Sequence, residues 1–259
     1  MSGGRVKDNR LAGKTALVTG AAQRVGRHIA LTLAESGVNI VIHYRHSARE
    51  AENLRIQLTQ RGVKAYLVPG DFERSEDSGE IIRKAVKDAG SLDFLVNNAS
   101  SFLPETIQDI NLAELMRDIQ VNAWSPFELC REFSRHVNSG KIVNLLDTRV
   151  IGYDRAHLGY ILSKKMLLSL TEIMAIEFAP RMTVNAVAPG LILPPAGKDE
   201  AYLQELARTV PLERHGSPSD ISDAVLFLLS SDFITGQVIY VDGGRHLKEL
   251  GIRGPHNNQ

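Results

Sequence analysis

Asp147, Tyr160 and Lys164 stand in an order that can move a proton. Asp147 ends the apolar run Lys141-Ile142-Val143-Asn144-Leu145-Leu146, and 13 residues later comes Tyr160-Ile161-Leu162-Ser163-Lys164. A tyrosine and a lysine four residues apart share one face of a helix, close enough for the ammonium to bias the phenol. A phenol titrates near ~10, too weakly acidic to exchange protons readily at neutral pH, and a neighbouring cation lowers that value by favouring phenolate. Y-x-x-x-K alone is common by chance and usually structural. Here it follows an acid-tipped strand and an upstream glycine turn, and that order is specific.

In the glycine turn, the run Thr15-Ala16-Leu17-Val18-Thr19 stops at Gly20, small residues follow, and Gly26 opens a stretch with apolar residues at helical spacing. That is strand, tight turn, helix. Gly20 lets the chain reverse sharply, and backbone N–H groups up to Gly26, with the positive end of a helix, can be aimed at a phosphate. A dinucleotide is the natural guest, although a structural strand–turn–helix junction uses the same residues. A second buried run, 38–43, leads to the corner Tyr44-Arg45-His46-Ser47. An acidic residue at this place bonds the ribose 2′-hydroxyl of NAD, whereas basic and hydroxyl side chains suit the 2′-phosphate of NADP. No Asp or Glu follows until Glu50, so Arg45, His46 and Ser47 point to NADPH.

Positioning these groups takes an alternating chain. Strand-like runs at 15–18, 38–43, 64–69, 92–96, 141–146, 182–187 and 237–241 are separated by helical patterns at 48–61, 75–89 (with Ser75 as N-cap), 111–137, 158–178 and 219–230. The region 111–137 reads as one long helix bent near Pro126, where a backbone donor is missing. The expected fold is a single doubly wound (Rossmann-type) α/β sheet of about seven parallel strands with helices on both faces. One domain spans 14–244, between a flexible tail at 1–13 and a polar tail at 245–259 that can reach a neighbouring subunit. The Pro-, Gly- and charge-rich segment 192–218, with a short helix at 200–208, has the length and placing of a substrate lid.

The turn Thr19-Gly20-Ala21-Ala22-Gln23-Arg24-Val25-Gly26, the run Asn97-Asn98-Ala99, Tyr160 with Lys164, Pro189-Gly190 and Asp242-Gly243-Gly244 together resemble the short-chain dehydrogenase/reductase family over roughly 14–244. Arg24 in place of the family's middle glycine, the segment His43 to Ser47, Ser100-Ser101-Phe102 and Asp147 in place of the usual serine resemble its pteridine reductase branch. The resemblance implies that Asn122 orders a water chain behind the lysine and that Asp71 binds the adenine edge. It implies that Pro189-Gly190 lies beside the nicotinamide, that Ser101 contacts substrate and that Phe102 stacks on a flat pterin. Arg24 would reach toward cofactor phosphate and substrate. The implied cofactor residues are Gly20, Gln23, Arg24, Val25, His43, Arg45, His46, Ser47, Asp71, Phe72, Asn98, Ala99, Ser100, Tyr160, Lys164, Pro189 and Gly190. The implied substrate residues are Arg24, Ser101, Phe102, Asp147, Tyr160 and Leu191, and the catalytic ones Asp147, Tyr160, Lys164 and Asn122. Family members pair through the helices at 111–137 and 158–178, whose surplus of apolar positions suits a homotetramer.

Asp147 can be weighed physically. Beside a ketone oxygen that turns negative, a carboxylate at ~4 Å opposes the developing charge by about 4 kcal/mol at an effective dielectric near 20. Reduction of a ring C=N instead needs a proton at nitrogen, and a carboxyl kept partly protonated, or a water relay from Tyr160, supplies it. The bland alternative is an aspartate that only caps the next helix. The reading is an NADPH-dependent reductase of a pterin or folate ring. A carbonyl or 3-oxoacyl-thioester reductase is the alternative within the fold, and a non-enzymatic NADPH-binding sensor the alternative outside enzymes, which need not keep Asn122, Tyr160 and Lys164 together.

Composition narrows the partners. Lys plus Arg and Asp plus Glu both number 30 among 259 residues, so no basic excess points to nucleic acid. The 43% hydrophobic share supplies a sizeable core. Cys130 stands alone, so no internal disulfide forms, and no Cys/His cluster has metal-site spacing. Neither a signal-peptide core nor a run long enough to span a bilayer is present, and a soluble cytoplasmic protein is expected.

Overall fold

The computed structural model describes residues 10–74, 77–195 and 197–249. Seven runs rich in Val, Ile, Leu and Ala become the strands β1 (Thr15–Val18), β2 (Asn39–Tyr44), β3 (Ala65–Pro69), β4 (Phe94–Asn97), β5 (Gly140–Leu145), β6 (Met182–Pro189) and β7 (Val238–Val241). They form one parallel sheet in the order β3-β2-β1-β4-β5-β6-β7. The central strands are continuous apolar runs rather than alternating ones because helices cover both sheet faces. On one face α1 (Arg24–Glu35), α2 (Ala48–Gln60) and α8 (Pro218–Ser230) bring Ile29, Leu33, Leu54 and Val225 onto Ala16, Val18 and Ile42. On the other, α3 (Asp77–Ala89), α5 (Ser125–His136) and α6 (Leu158–Glu177) bring Ile82, Leu129, Phe133 and Met174 onto Leu17 and Leu95. Each of the Val, Ile, Leu, Phe and Met side chains among them contributes about 1.5–3 kcal/mol by leaving water.

Strand order reverses between β1 and β4, where Ala16 pairs Phe94 and Val18 pairs Val96. A crevice therefore opens at the carboxyl ends of these strands, the place where such sheets bind ligands. The expected single helix at 111–137 is instead three pieces. α4 (Leu112–Ile119) begins with a capping box between Asn111 and Glu114. A π turn (Gln120–Trp124) follows, and α5 then starts with Pro126 in its first turn. The break thus precedes the proline, whose missing donor costs nothing at a helix start. The widened turn carries Asn122, and single π turns of this kind re-aim a side chain.

Packing also enters the stretch expected to be a tail: Leu11 is buried and Gly13 N–H donates to Gly37 O at 2.9 Å. The C-terminal stretch begins as a short helix, α9 (Arg245–Glu249). The expected Ser75 cap of α3, like 1–9 and 250–259, lies outside the described residues. Between β6 and α8 runs the expected lid segment, with one helix, α7 (Glu200–Ala207). Among the described residues no helix is long and apolar enough to cross a membrane, and no group of three His, Cys, Asp or Glu side chains could hold a metal ion.

Candidate active site

The glycine turn is braced from three strands. Asn98 Nδ2 donates to Thr19 O at 2.8 Å, while the Asn98 and Ala99 N–H groups donate to Thr19 Oγ1 at 2.9 and 3.0 Å. Gly20 takes φ +62°, and a Cβ on Gly26 would lie 2.3 Å from Gly20 O, so α1 starts hard against the turn. The N-cap Gln23 makes no side-chain bond and the first turn holds no acid. The first N–H groups of α1, those of Arg24, Val25 and Gly26, thus lack intrahelical acceptors, which fits an anionic phosphate. Arg24 adopts φ +52°, a left-handed backbone costing a non-glycine residue about 1–2 kcal/mol. Its guanidinium donates to Pro194 O at 2.7 Å, tying the lid segment to the turn.

Several expected cofactor contacts are turned inward. His43 is buried; its Nδ1 accepts from Gly20 N–H and its Nε2 faces Gly70 O, both at 3.2 Å, which assigns the proton to Nε2. Phe72 is buried too and stacks on the His43 ring, centroids 4.6 Å apart. These two residues brace the turn rather than face a ligand. Arg45, expected to stand clear of carboxylates, bridges Asp71 at 3.0 Å and Glu73 at 2.7 Å. Asp71 also accepts from the Glu73 N–H at 3.0 Å, a local turn bond. The carboxylates arrive from the end of β3, so no count along the β2 corner could find them. His46 is exposed, and Ser47 stands at the N-cap of α2 without a capping bond. Gly190 continues β6 by donating to Val241 O at 3.0 Å, and Leu191 O accepts from Gly216 N–H at 2.9 Å, closing the base of the lid segment.

At the tip of β5 the proton-moving groups converge, but not in the expected pairing. The Tyr160 hydroxyl donates to Asp147 Oδ2 at 3.1 Å. Lys164 Nζ donates to Leu145 O at 2.7 Å and lies 5.8 Å from the Tyr160 ring centre. Burial lowers the Lys164 ammonium to about 8. Burial, reinforced by the Asp147 charge, pushes the Tyr160 phenol well above its ordinary value. The expected bias toward phenolate is therefore reversed. A partly protonated Asp147 is overturned as well. Burial acts to raise its carboxyl, but Arg149 outweighs it and holds the group below the usual carboxylate range. Arg149 donates Nε to Oδ1 and Nη2 to Oδ2, each at 2.9 Å, and its backbone N–H donates to Oδ1 at 2.8 Å. The last bond makes Asp147 also the cap of the 3₁₀ turn Thr148–Ile151.

Arg149 was not found by sequence reading, nor were Asp154 and His157. Arg149 Nη1 pairs Asp154, whose Oδ2 meets His157 Nδ1 at 2.9 Å. The spacing of Asp147 to Arg149 and of Asp154 to His157 was a signal, two charged pairs in a short loop. Phe102 lies among them, stacked on His157 at 4.1 Å and edge-on to Tyr160 at 4.8 Å. One face of the expected pterin platform is therefore covered, though the residue is 39% exposed. The Asn122 side chain is bonded to the 100–101 loop: its Oδ1 accepts from Ser100 Oγ at 2.9 Å and Ser101 N–H at 2.8 Å, and its Nδ2 donates to Ser101 O at 3.2 Å. Ser101, expected on substrate, donates its hydroxyl to Asp118 Oδ1 at 3.1 Å.

Residues 20–246 match the family model described as enoyl-(acyl carrier protein) reductase. The chain is 33% identical to 3-oxoacyl-[acyl-carrier-protein] reductase FabG of Staphylococcus epidermidis, over 90% of this chain and 99% of that protein. Among solved structures it resembles FolM alternative dihydrofolate reductase 1 from Brucella canis complexed with NADP, with a TM-score of 0.88, 30% identity and coverage of 96% of this chain and 98% of that one. It also resembles a blue fluorescent protein from a metagenomic library in complex with NADPH, with a TM-score of 0.85, 29% identity and coverage of 91% and 98%. A braced glycine turn at the switch point, a Tyr–Lys pair on α6 and these matches along the chain lead to one conclusion: the chain belongs to the short-chain dehydrogenase/reductase family of nicotinamide-dependent oxidoreductases.

Proposed function

We propose that the protein is an NADPH-dependent reductase of a pteridine ring, a pterin or folate. The observation that carries this reading is the Tyr160 hydroxyl held at 3.1 Å by an ionised Asp147. A carboxylate opposes an oxyanion forming beside it by about 4 kcal/mol at ~4 Å and a dielectric near 20, which disfavours a ketone at this place. The same charge favours a ring C=N that becomes cationic as its nitrogen takes a proton. NADPH supplies the hydride to carbon when bound. Tyr160, kept protonated by burial, holds the proton for nitrogen; Asp147 aims the phenol and steadies the protonated ring. Lys164 fixes the strand tip through Leu145 O, and the first N–H groups of α1 would hold the cofactor phosphates, with Arg24 linking this turn to the lid at 192–218. Phe102 offers its free face to the ring. The likeness to a dihydrofolate reductase complexed with NADP supports both cofactor and substrate class.

Likeness to a 3-oxoacyl-thioester reductase favours a second reading, carbonyl reduction. NADPH oxidation followed with dihydrofolate, dihydropterins, biopterin and an acetoacetyl thioester separates the two. Asp147→Asn removes the charge that steadies the protonated ring and is expected to lower hydride transfer to the pteridine by about 10²–10³, the scale of losing one positioned electrostatic stabiliser, with NADPH affinity kept. Asp147→Ser should spare reduction of activated ketones. Wild-type-like pteridine turnover in the Asn variant would return the carbonyl reading to first place.

Assembly as a cytoplasmic homotetramer belongs to the same reading. α4 and α6 leave Met116, Leu162, Ile173 and Ile176 exposed, an apolar surface suited to pairing copies of the chain. Light scattering at micromolar concentration should give four times the chain mass, and a monomer would count against it.

A further inference from the structure

Behind Ser101 and Phe102, two acids are buried against each other. Asp118 of α4 has no exposure and Glu105, just past Phe102, has 7%. One oxygen of each is accounted for: Asp118 Oδ1 accepts from the Ser101 hydroxyl at 3.1 Å, and Glu105 Oε1 accepts from Arg117 Nη2 at 2.8 Å. The other two, Asp118 Oδ2 and Glu105 Oε2, are buried without a partner. Both lie 2.7 Å from where a Cβ on Gly159 would stand, so the glycine leaves the space in which they meet. The two orphaned oxygens thus border one space, and a hydrogen bond between the carboxyl groups would satisfy both. Two carboxylates cannot make that bond, because neither has a hydrogen to donate. A single proton between Oε2 and Oδ2 satisfies both orphaned atoms and leaves one negative charge opposite Arg117.

We propose that Glu105 and Asp118 share one proton at neutral pH and act as positioning residues for the substrate side of the site. What they position is clear from their backbones and partners. Glu105 N–H donates to Ala156 O at 2.8 Å and Leu158 N–H donates to Glu105 O at 3.0 Å, joining the pair to the start of α6, two residues before Tyr160. Ser101, bonded to Asp118, leads directly into Phe102. Arg117 and Glu114 are the charges facing the pair from α4; the loop offers the Ser101 hydroxyl, and His157 at the start of α6 turns its ring to Asp154 and Phe102. Burial raises both carboxyls above their ordinary range, and at Glu105 the neighbouring Asp118 charge raises it further. A carboxyl whose value is raised on folding supports the closed arrangement fully below its ordinary value and loses that support as pH climbs from there through the raised one. Loss of the shared proton then sets two buried carboxylates against one guanidinium, and the loop bearing Phe102 is released.

The identity of the substrate rests on the reading above, but the proton does not, and the test keeps them apart. Infrared absorption of the full chain at pH 7, where ordinary carboxyl groups are ionised, should contain a protonated-carboxyl band. Glu105→Gln keeps a donor to Asp118 and should lose that band; Asp118→Asn should lose the same band and serves if the first variant does not fold. In the wild type the melting temperature should fall and KM rise on the alkaline side, with NADPH affinity unmoved, and Glu105→Gln should lack this alkaline limb. The infrared and melting measurements need no substrate, so they stand or fall independently of the pteridine assignment; KM is read with whichever substrate of the panel is turned over. Absence of the band in the wild type, its persistence in both variants, or an alkaline limb unchanged in Glu105→Gln overturns the proposal.

Discussion

On the glycine-turn side of the crevice, Thr19, Gly20, His43, Asn98 and Ala99 are joined by neutral hydrogen bonds, and packing leaves no room for a side chain on Gly26. Around the tip of β5, Asp147, Arg149, Asp154, Glu105 and Asp118 form a set of mostly buried acidic and basic groups, each dependent on a partner. The first wall holds its shape mainly through sterics and dipoles; its titratable member is His43, whose Nδ1 accepts from Gly20 N–H only while unprotonated. The second holds its shape through pairing, and removing one member leaves the others uncompensated in a poorly solvated place.

The largest effect expected from testing this contrast is at Arg149. Arg149→Leu leaves Asp147 and Asp154 without their cation and should destabilise the fold by about 3–5 kcal/mol at pH 7, the range for breaking a buried ion pair. The sign with pH follows from the depressed carboxyls: their contribution is present above the ordinary carboxylate value and lost as pH falls through the lowered one. Without Arg149, burial raises Asp147 instead, so the penalty should shrink between pH 7 and pH 5. Chemical denaturation at both pH values checks it, and equal penalties would refute the charge account.

Gly26→Ala probes the other wall. Its Cβ would meet Gly20 O at 2.3 Å and Asn98 Nδ2 at 2.5 Å, and the first of these is backbone. A loss of about 3 kcal/mol, at the upper end of overpacking costs, should come with loss of NADPH binding and should be the same at pH 7 and pH 8. A marked pH dependence in this variant would erase the distinction between the walls.

The smallest effect is at their meeting point. Phe102→Ala should weaken pterin binding by about 1–3 kcal/mol, the scale of one stacked ring, while leaving NADPH affinity intact in titration. Because His157 already covers one face, the lost contact is that of the other face alone. Loss of both ligands together would make Phe102 a core side chain.

Local pattern determined a good deal of this protein. Continuous Val, Ile, Leu and Ala runs alternate with helical spacing, and that alone implies a doubly wound parallel sheet with its ligand crevice at the switch point. Gly20 and Gly26 marked the turn because only a residue without Cβ fits there, and Tyr160 and Lys164 were legible because i and i+4 share a helix face. What those groups do was not legible. Whether Asp147 is ionised depends on Arg149 folding back over it. Whether Lys164 faces the phenol depends on Leu145 O, which takes its proton-bearing end first, and whether Arg45 is free depends on Asp71 and Glu73 arriving from β3. The break at Asn122 preceded Pro126 because the π turn is set by packing against the 97–105 loop and α6, not by the local cost of a proline. Periodicity records which side of an element is apolar, and so a fold can be read from it; protonation and hydrogen-bond direction are set by burial and by neighbours distant in the chain, and only the tertiary structure brings those together.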